Sequence, residues 1–246
     1  MQLTIERIVE PFVARKNELS LVIGVTTKEG FEVYSFDKSA SGIDGCCDGD
    51  TLFEIGSISK VFTTTLLSVL VDLGVVKLNE PVRSLLPELQ NLSEAVTLER
   101  LATHSSGLPR IPHNLKRSYK QNKLNPYAAY SVEELYAFLS NYPVDPQKSP
   151  FGQISYSNLG MGLLGYVLAK RLGGSYEQAV TEYICQPLGM HSTSITLSAD
   201  QQQRLATPRS GRGTAGPAPR TILRPPFDHF VRKSPGCRPC PVWCPR

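Results

Sequence analysis

Phe53-Glu54-Ile55-Gly56-Ser57-Ile58-Ser59-Lys60 is the stretch on which the reading of this chain turns. A glycine, a serine and a lysine three residues further on open an apolar run that continues to Leu73. The run predicts a helix over residues 57–73, apolar nearly all round and therefore central, with Gly74 as its C-terminal stop. Residues three apart share a helical face, so Ser57 Oγ and the Lys60 ammonium can meet. A serine hydroxyl is a weak nucleophile until a neighbouring base removes its proton. A lysine in desolvated surroundings can shed its own charge and act as that base. Backbone N–H groups at the helix start can stabilise a developing oxyanion. Taken alone, the tetrapeptide also reads as an N-cap serine followed by a solvated lysine.

Downstream, Tyr156-Ser157-Asn158 stands just before a small-residue-rich helix expected over 159–172 and ended by Gly173-Gly174. A phenol there can shuttle a proton between the serine and a leaving group, and an amide can hold a substrate carbonyl. The local alternative is a loop tyrosine followed by an asparagine N-cap. Upstream, Ile5, Ile8, Val9 and Phe12 fall on one face of a helix expected over 3–15. Two strands, 19–26 and 31–36, are joined through Lys28-Glu29-Gly30 as a hairpin. Further helix starts fall at Thr97, Ser131 and Ser175, and the last two carry the spacing of a capping box. After the hairpin the body is mostly helical.

The chain has 246 residues, 41% hydrophobic and 20% charged, which fits an ordinary globular protein with a sizeable core. Its net charge of +4 is unevenly placed, because residues 208–246 carry seven arginines and Lys233 against the single acid Asp228. A mildly acidic body with a basic tail does not read as a nucleic-acid binder. Nine prolines and four glycines among those 39 residues mark a low-complexity segment. The expected organisation is a domain over 1–206 and a Pro/Arg/Cys-rich tail over 207–246, disordered or frameshifted. The six cysteines (Cys46, Cys47, Cys185, Cys237, Cys240 and Cys244) suggest no disulfide framework. Residues 1–10 lack the apolar run of a signal peptide, and no run is long enough to span a bilayer. The expectation leans to a cytoplasmic protein without a transmembrane segment.

Several segments together carry a resemblance. The stretch 53–60 resembles the acylation motif of class C serine β-lactamases and their penicillin-binding, D-alanyl-D-alanine peptidase and esterase relatives. Asp72 to Val82 is similar to the link after the serine helix, and Leu101-Ala102-Thr103-His104-Ser105-Ser106-Gly107-Leu108-Pro109 to the family's Leu-x-Thr-His-Thr-Ser-Gly-Leu signature. Phe151 to Asn158 resembles the Tyr-x-Asn block, and Gln186-Pro187-Leu188-Gly189-Met190 the Pro-Leu-Gly-Met stretch. The resemblance implies an α+β fold of the β-lactamase/transpeptidase type: an N-terminal helix and hairpin with a mostly helical domain. It implies a serine hydrolase acting through an acyl-enzyme on Ser57, on a lactam, amide or ester carbonyl. Lys60 and Tyr156 would share proton transfer and Asn158 would orient substrate. His104 belongs, in this pattern, to a structural turn. No cofactor or metal is implied, and the expected partner is a small-molecule or peptide substrate.

The family's third motif, Lys-Thr-Gly or His-x-Gly on a strand, has no counterpart after Asn158. The hairpin would then lack the C-terminal strands that bring the family's sheet to about five. The expectation is a coding sequence truncated or frameshifted near 203–209. The competing functional reading is an inactive remnant or a ligand-binding pseudoenzyme. A zinc-binding tail through Cys237, Cys240 and Cys244 with His229 is a third reading, weakened by irregular spacing and intervening prolines.

Overall fold

The computed structural model describes residues 2–15, 19–38, 47–121, 126–148 and 150–206. The proposed tail, with its cysteines and His229, lies outside them. The described residues fall into two compact units, 2–54 with 196–206, and 55–195.

In the first unit, helix α1 (Gln2–Ala14) is followed by strands β1 (Leu19–Thr26) and β2 (Phe31–Lys38). The strands pair antiparallel from Leu19↔Lys38 to Thr26↔Phe31, so the hairpin runs two residues beyond its expected end. Its turn closes with Thr27 N–H donating to Gly30 O at 2.8 Å. Gly30 has φ +148°, a conformation that favours glycine. Of the apolar stripe on α1, Val9 is buried, whereas Ile8 and Phe12 are exposed. Leu52 bridges Leu205 in parallel, next to helix α9 (Ala199–Gln203), whose start is a Ser198–Gln201 capping box. Leu52 and Leu197 form a small core of their own.

The second unit is helical: α2 (Ser59–Asp72), α3 (Val82–Leu85), α4 (Leu98–Ala102), α5 (Lys116–Gln121), α6 (Val132–Asn141), α7 (Asn158–Leu172) and α8 (Tyr176–Val180). The predicted caps are present. Thr97 accepts from Arg100 N, and Ser131–Glu134 and Ser175–Gln178 make complete capping boxes. Gly74 and Gly173 end α2 and α7 in left-handed conformations.

The central helix is α7, buried continuously from Leu159 to Ala169, and not α2 as the sequence suggested. Helix α2 buries one stripe, Ser59, Thr63, Leu66, Leu67 and Leu70, and leaves Val61 59% exposed. The reason lies in the glycines of α7, which let neighbours approach its backbone. A Cβ at Gly165 would lie 3.0 Å from the Tyr176 ring, and Tyr176 Oη is 2.7 Å from Thr63 Oγ1 of α2. A helix of small residues can be surrounded, whereas α2 packs by one face.

Candidate active site

The start of α2 departs from a simple helix opening. Gly56 has φ +51° and leads into a 3-10 turn, Gly56–Ile58, before α-helical bonding begins. Ile58 N–H donates to Ile55 O at 3.1 Å and tightens that turn. Ser57 therefore sits in the 3-10 turn, solvent-exposed, and not in the first α-turn. The three-residue spacing still brings Lys60 to it: Lys60 Nζ donates to Ser57 Oγ at 3.3 Å. The Ser57 backbone N–H has no hydrogen-bond partner among the described residues.

Tyr156 arrives from a distant part of the chain. Its hydroxyl donates to Ser57 Oγ at 2.8 Å. The Lys60 ammonium lies 4.9 Å from the centroid of the Tyr156 ring. Burial pulls the Tyr156 phenol upward, but the hydrogen bonds of Lys60 and Ser57 and the charges of Lys60 and Arg110 outweigh it. The phenol is held below its ordinary value. Three of the sequence-predicted groups thus meet on one oxygen.

The loop 104–110 holds Tyr156 in place. His104, with φ +59°, accepts a hydrogen bond from Ser157 N–H at Nδ1 (3.2 Å) and one from Ser155 N–H at its carbonyl (2.8 Å). Its ring lies 4.8 Å from that of Tyr156. Burial, and next the charge of Lys60, push its imidazole below the usual value, so the neutral acceptor form is favoured. His104 is thus part of a structural turn, as the motif implied. Ser157 Oγ donates to Pro109 O at 2.7 Å and accepts from Gly160 N–H at 2.8 Å, which makes Ser157 the N-cap of α7.

The local reading of Asn158 as that cap is therefore corrected. Asn158 is the first residue of α7, and its side-chain amide reaches Tyr127 Oη at 3.5 Å. Its backbone N–H donates to Arg110 O at 3.0 Å. No hydrogen bond joins the Asn158 side chain to Ser57 among the described residues, so it stands beside the serine–tyrosine pair.

Two residues at the site went unnoticed in the sequence. The Arg110 guanidinium lies 5.3 Å from the Tyr156 ring centroid. Tyr127, half-buried, carries the partner hydroxyl of Asn158, and burial raises its phenol more than Asn158 and Arg110 lower it. The only sequence signal for Arg110 was its place directly after Leu108-Pro109. Tyr127 had none, because nothing local ties it to Asn158.

The arrangement joins an exposed hydroxyl, a phenol biased toward ionisation, two cations and a free backbone N–H. It can activate an oxygen nucleophile and stabilise negative charge developing beside it.

The beta-lactamase family model matches residues 5–236. A beta-lactamase of Providencia stuartii is 30% identical over 209 residues, 83% of this chain and 50% of that protein. The D-alanyl-D-alanine-carboxypeptidase/endopeptidase AmpH of Escherichia coli (strain K12) is 34% identical over 166 residues, 66% of this chain and 41% of that protein. Among solved structures, a class C beta-lactamase has a TM-score of 0.75 at 26% identity, over 93% of this chain and 60% of that one. Another, from Rhodobacter sphaeroides, has a TM-score of 0.72 at 29% identity, over 90% of this chain and 59% of that one. The chain spans half or less of the length of these two sequence relatives.

Proposed function

This chain belongs to the beta-lactamase family, and from that premise we propose that it is a serine hydrolase acting through an acyl-enzyme on Ser57. The observation that carries the reading is the convergence of Lys60 Nζ and Tyr156 Oη on Ser57 Oγ, at 3.3 and 2.8 Å. Ser57 Oγ attacks a carbonyl carbon while its proton passes to the Tyr156 oxygen, which Lys60 and Arg110 hold ready by favouring the phenolate. The Ser57 backbone N–H donates to the oxyanion as it forms. Tyr156 then returns the proton to the departing nitrogen or oxygen, and the carbonyl–heteroatom bond breaks. Water repeats the sequence in reverse and frees the acyl group. Asn158, at the mouth of the α7 start, holds a polar group of the substrate. The substrate class is a lactam, a D-alanyl peptide or an ester. No helix among the described residues is long and apolar enough to cross a membrane.

The test is the mass of the intact protein after incubation with benzylpenicillin and, separately, with a fluorophosphonate. A mass gain that disappears in Ser57→Ala supports the hydrolase reading, and deacylation over time shows turnover. No gain with either probe would sink it in favour of a ligand-binding pseudoenzyme.

A further inference from the structure

The two edges of the hairpin differ in what they offer. Thr27 N–H donates to Gly30 O and sets the alternation of the ladder. Hydrogen-bonded pairs recur at every second residue, so Leu19, Leu21, Ile23 and Val25 bond to β2. The N–H and C=O groups of Val22, Gly24 and Thr26 point away from β2, and none has a partner among the described residues. Gly24 and Thr26 are also exposed. Residues 19–26 contain no charge and no proline, the devices that keep strand edges from pairing. Strand β2, in contrast, carries Glu32, Asp37 and Lys38.

Helix α1 adds apolar surface beside the unguarded edge. Leu3, Glu6 and Glu10 line a cleft with Phe36 of β2. By helical periodicity Ile8 and Phe12, 66% and 54% exposed, lie on the opposite flank of α1, the one nearer β1.

We propose that β1 pairs with β1 of a second copy of this chain, antiparallel about a twofold axis, to build a four-stranded sheet. The strand is complementary to itself. Centred on Ile23, the pairing sets Val22 opposite Gly24 of the second copy and Gly24 opposite its Val22, so their open backbone groups bond reciprocally. Thr26 falls opposite Ser20 of the second copy. Ile23 meets its own counterpart and Leu21 meets Val25. Leu21 is paired with Phe36, which borders α1, so this apolar face continues across the joined sheet on one side. No charge is opposed, and β1 offers none by which a charged partner could recognise it. An eight-residue edge is about 27 Å long and alone falls short of the roughly 800 Å² per partner of a standard interface. Ile8 and Phe12 of both copies enlarge the contact, and the dimer forms with rising concentration. Ser57 belongs to the other unit, and pairing of this edge is independent of the acyl-enzyme chemistry.

Sedimentation velocity of the full chain from about 1 to 300 µM reads its mass, and amide hydrogen exchange by NMR at both ends of that range locates the contact. A rise from monomer to dimer is expected. Exchange at Val22, Gly24 and Thr26 slows several-fold at the high concentration, whereas Leu21, Ile23 and Val25, already bonded to β2, change less. Val22→Pro removes an outward N–H that the hairpin does not use. It should weaken dimerisation about tenfold or more and leave the circular dichroism of the monomer unchanged. If that variant fails to fold, exchange in the wild-type chain decides alone. A monomer at every concentration overturns the proposal, including one whose three amides are always protected because another segment of the same chain covers the edge. A dimer in which those amides exchange as fast as in the monomer overturns it as well, by placing the contact elsewhere.

Discussion

Ser57 and Tyr156 each stand just ahead of a helix, yet the two helix starts are held in different ways. At the α7 start, Ser157 is 1% exposed and caps the helix, and four backbone or side-chain groups of the loop 104–110 bind residues 155–158. At the α2 start no side chain caps the helix, and Ser57 is exposed. The hydrogen bonds of its hydroxyl lead to the side chains that would act on it. Tyr156, the proposed acid–base group, is fixed by tertiary structure. Ser57, the proposed nucleophile, is positioned by the left-handed Gly56 and by the side chains of Lys60 and Tyr156. Such a division suits an oxygen that must leave its partners to join a carbonyl while the phenol waits in place.

The sharpest way to break this comparison is Tyr156→Phe. The ring and its contact with His104 remain, so the fold stays intact, while the proposed proton acceptor is gone. Turnover should fall about 10²- to 10⁴-fold, with the thermal midpoint unchanged. Stopped-flow acylation beside a melting curve would check both. A variant that retains wild-type rates would remove Tyr156 from the mechanism.

Ser157→Ala attacks the anchored start itself. It deletes the cap bond to Gly160 N–H and the bond to Pro109 O at a buried position. A loss of about 2–3 kcal/mol in a urea titration is expected, from the cap and the buried group left unpaired. Acylation should slow as well, because Tyr156 is the preceding residue.

Gly56→Ala probes the other start. A Cβ there would meet nothing within 4 Å, so the cost is conformational, from φ +51° alone. About 1–2 kcal/mol is expected. No loss of stability on chemical denaturation would mean that the turn before Ser57 is free to relax.

The smallest effect concerns pH and again separates the two starts. His104 resists protonation in the folded chain, mainly through burial. Near and below its ordinary value of about 6.5 the unfolded chain takes up a proton that the folded chain refuses. Its share of stability is therefore complete above that value and is lost as pH falls toward the lowered one. Protonation also removes the lone pair that accepts from Ser157 N–H. His104→Asn, which tolerates the left-handed backbone, should show a shallower fall in thermal midpoint between about pH 7 and 5. Parallel curves would show that His104 does not titrate with folding.

Much of the architecture was legible from local pattern. The hairpin, Gly74, Thr97 and the capping boxes at Ser131 and Ser175 were readable because each depends on residues close together in the sequence. The Ser57–Lys60 pairing was readable for the same reason. The pairing of those two with Tyr156, 99 residues beyond Ser57, was reached through resemblance to a family and not through spacing.

What only the tertiary structure decided are matters of packing between distant segments. Hydrophobicity made α2 look central, but the glycines of α7 let other helices close around that one instead. Ser157, and not Asn158, became the cap because Pro109 and His104 hold its backbone and hydroxyl. Arg110 and Tyr127 joined the site because two loops fold against the start of α7. The sequence by itself determined the hairpin, several helix caps and the meeting of Ser57 with Lys60, since short-range periodicity and capping specify those. The occupant of the central layer and the groups that surround the phenol depended on which surfaces meet, and local order along the chain does not encode that.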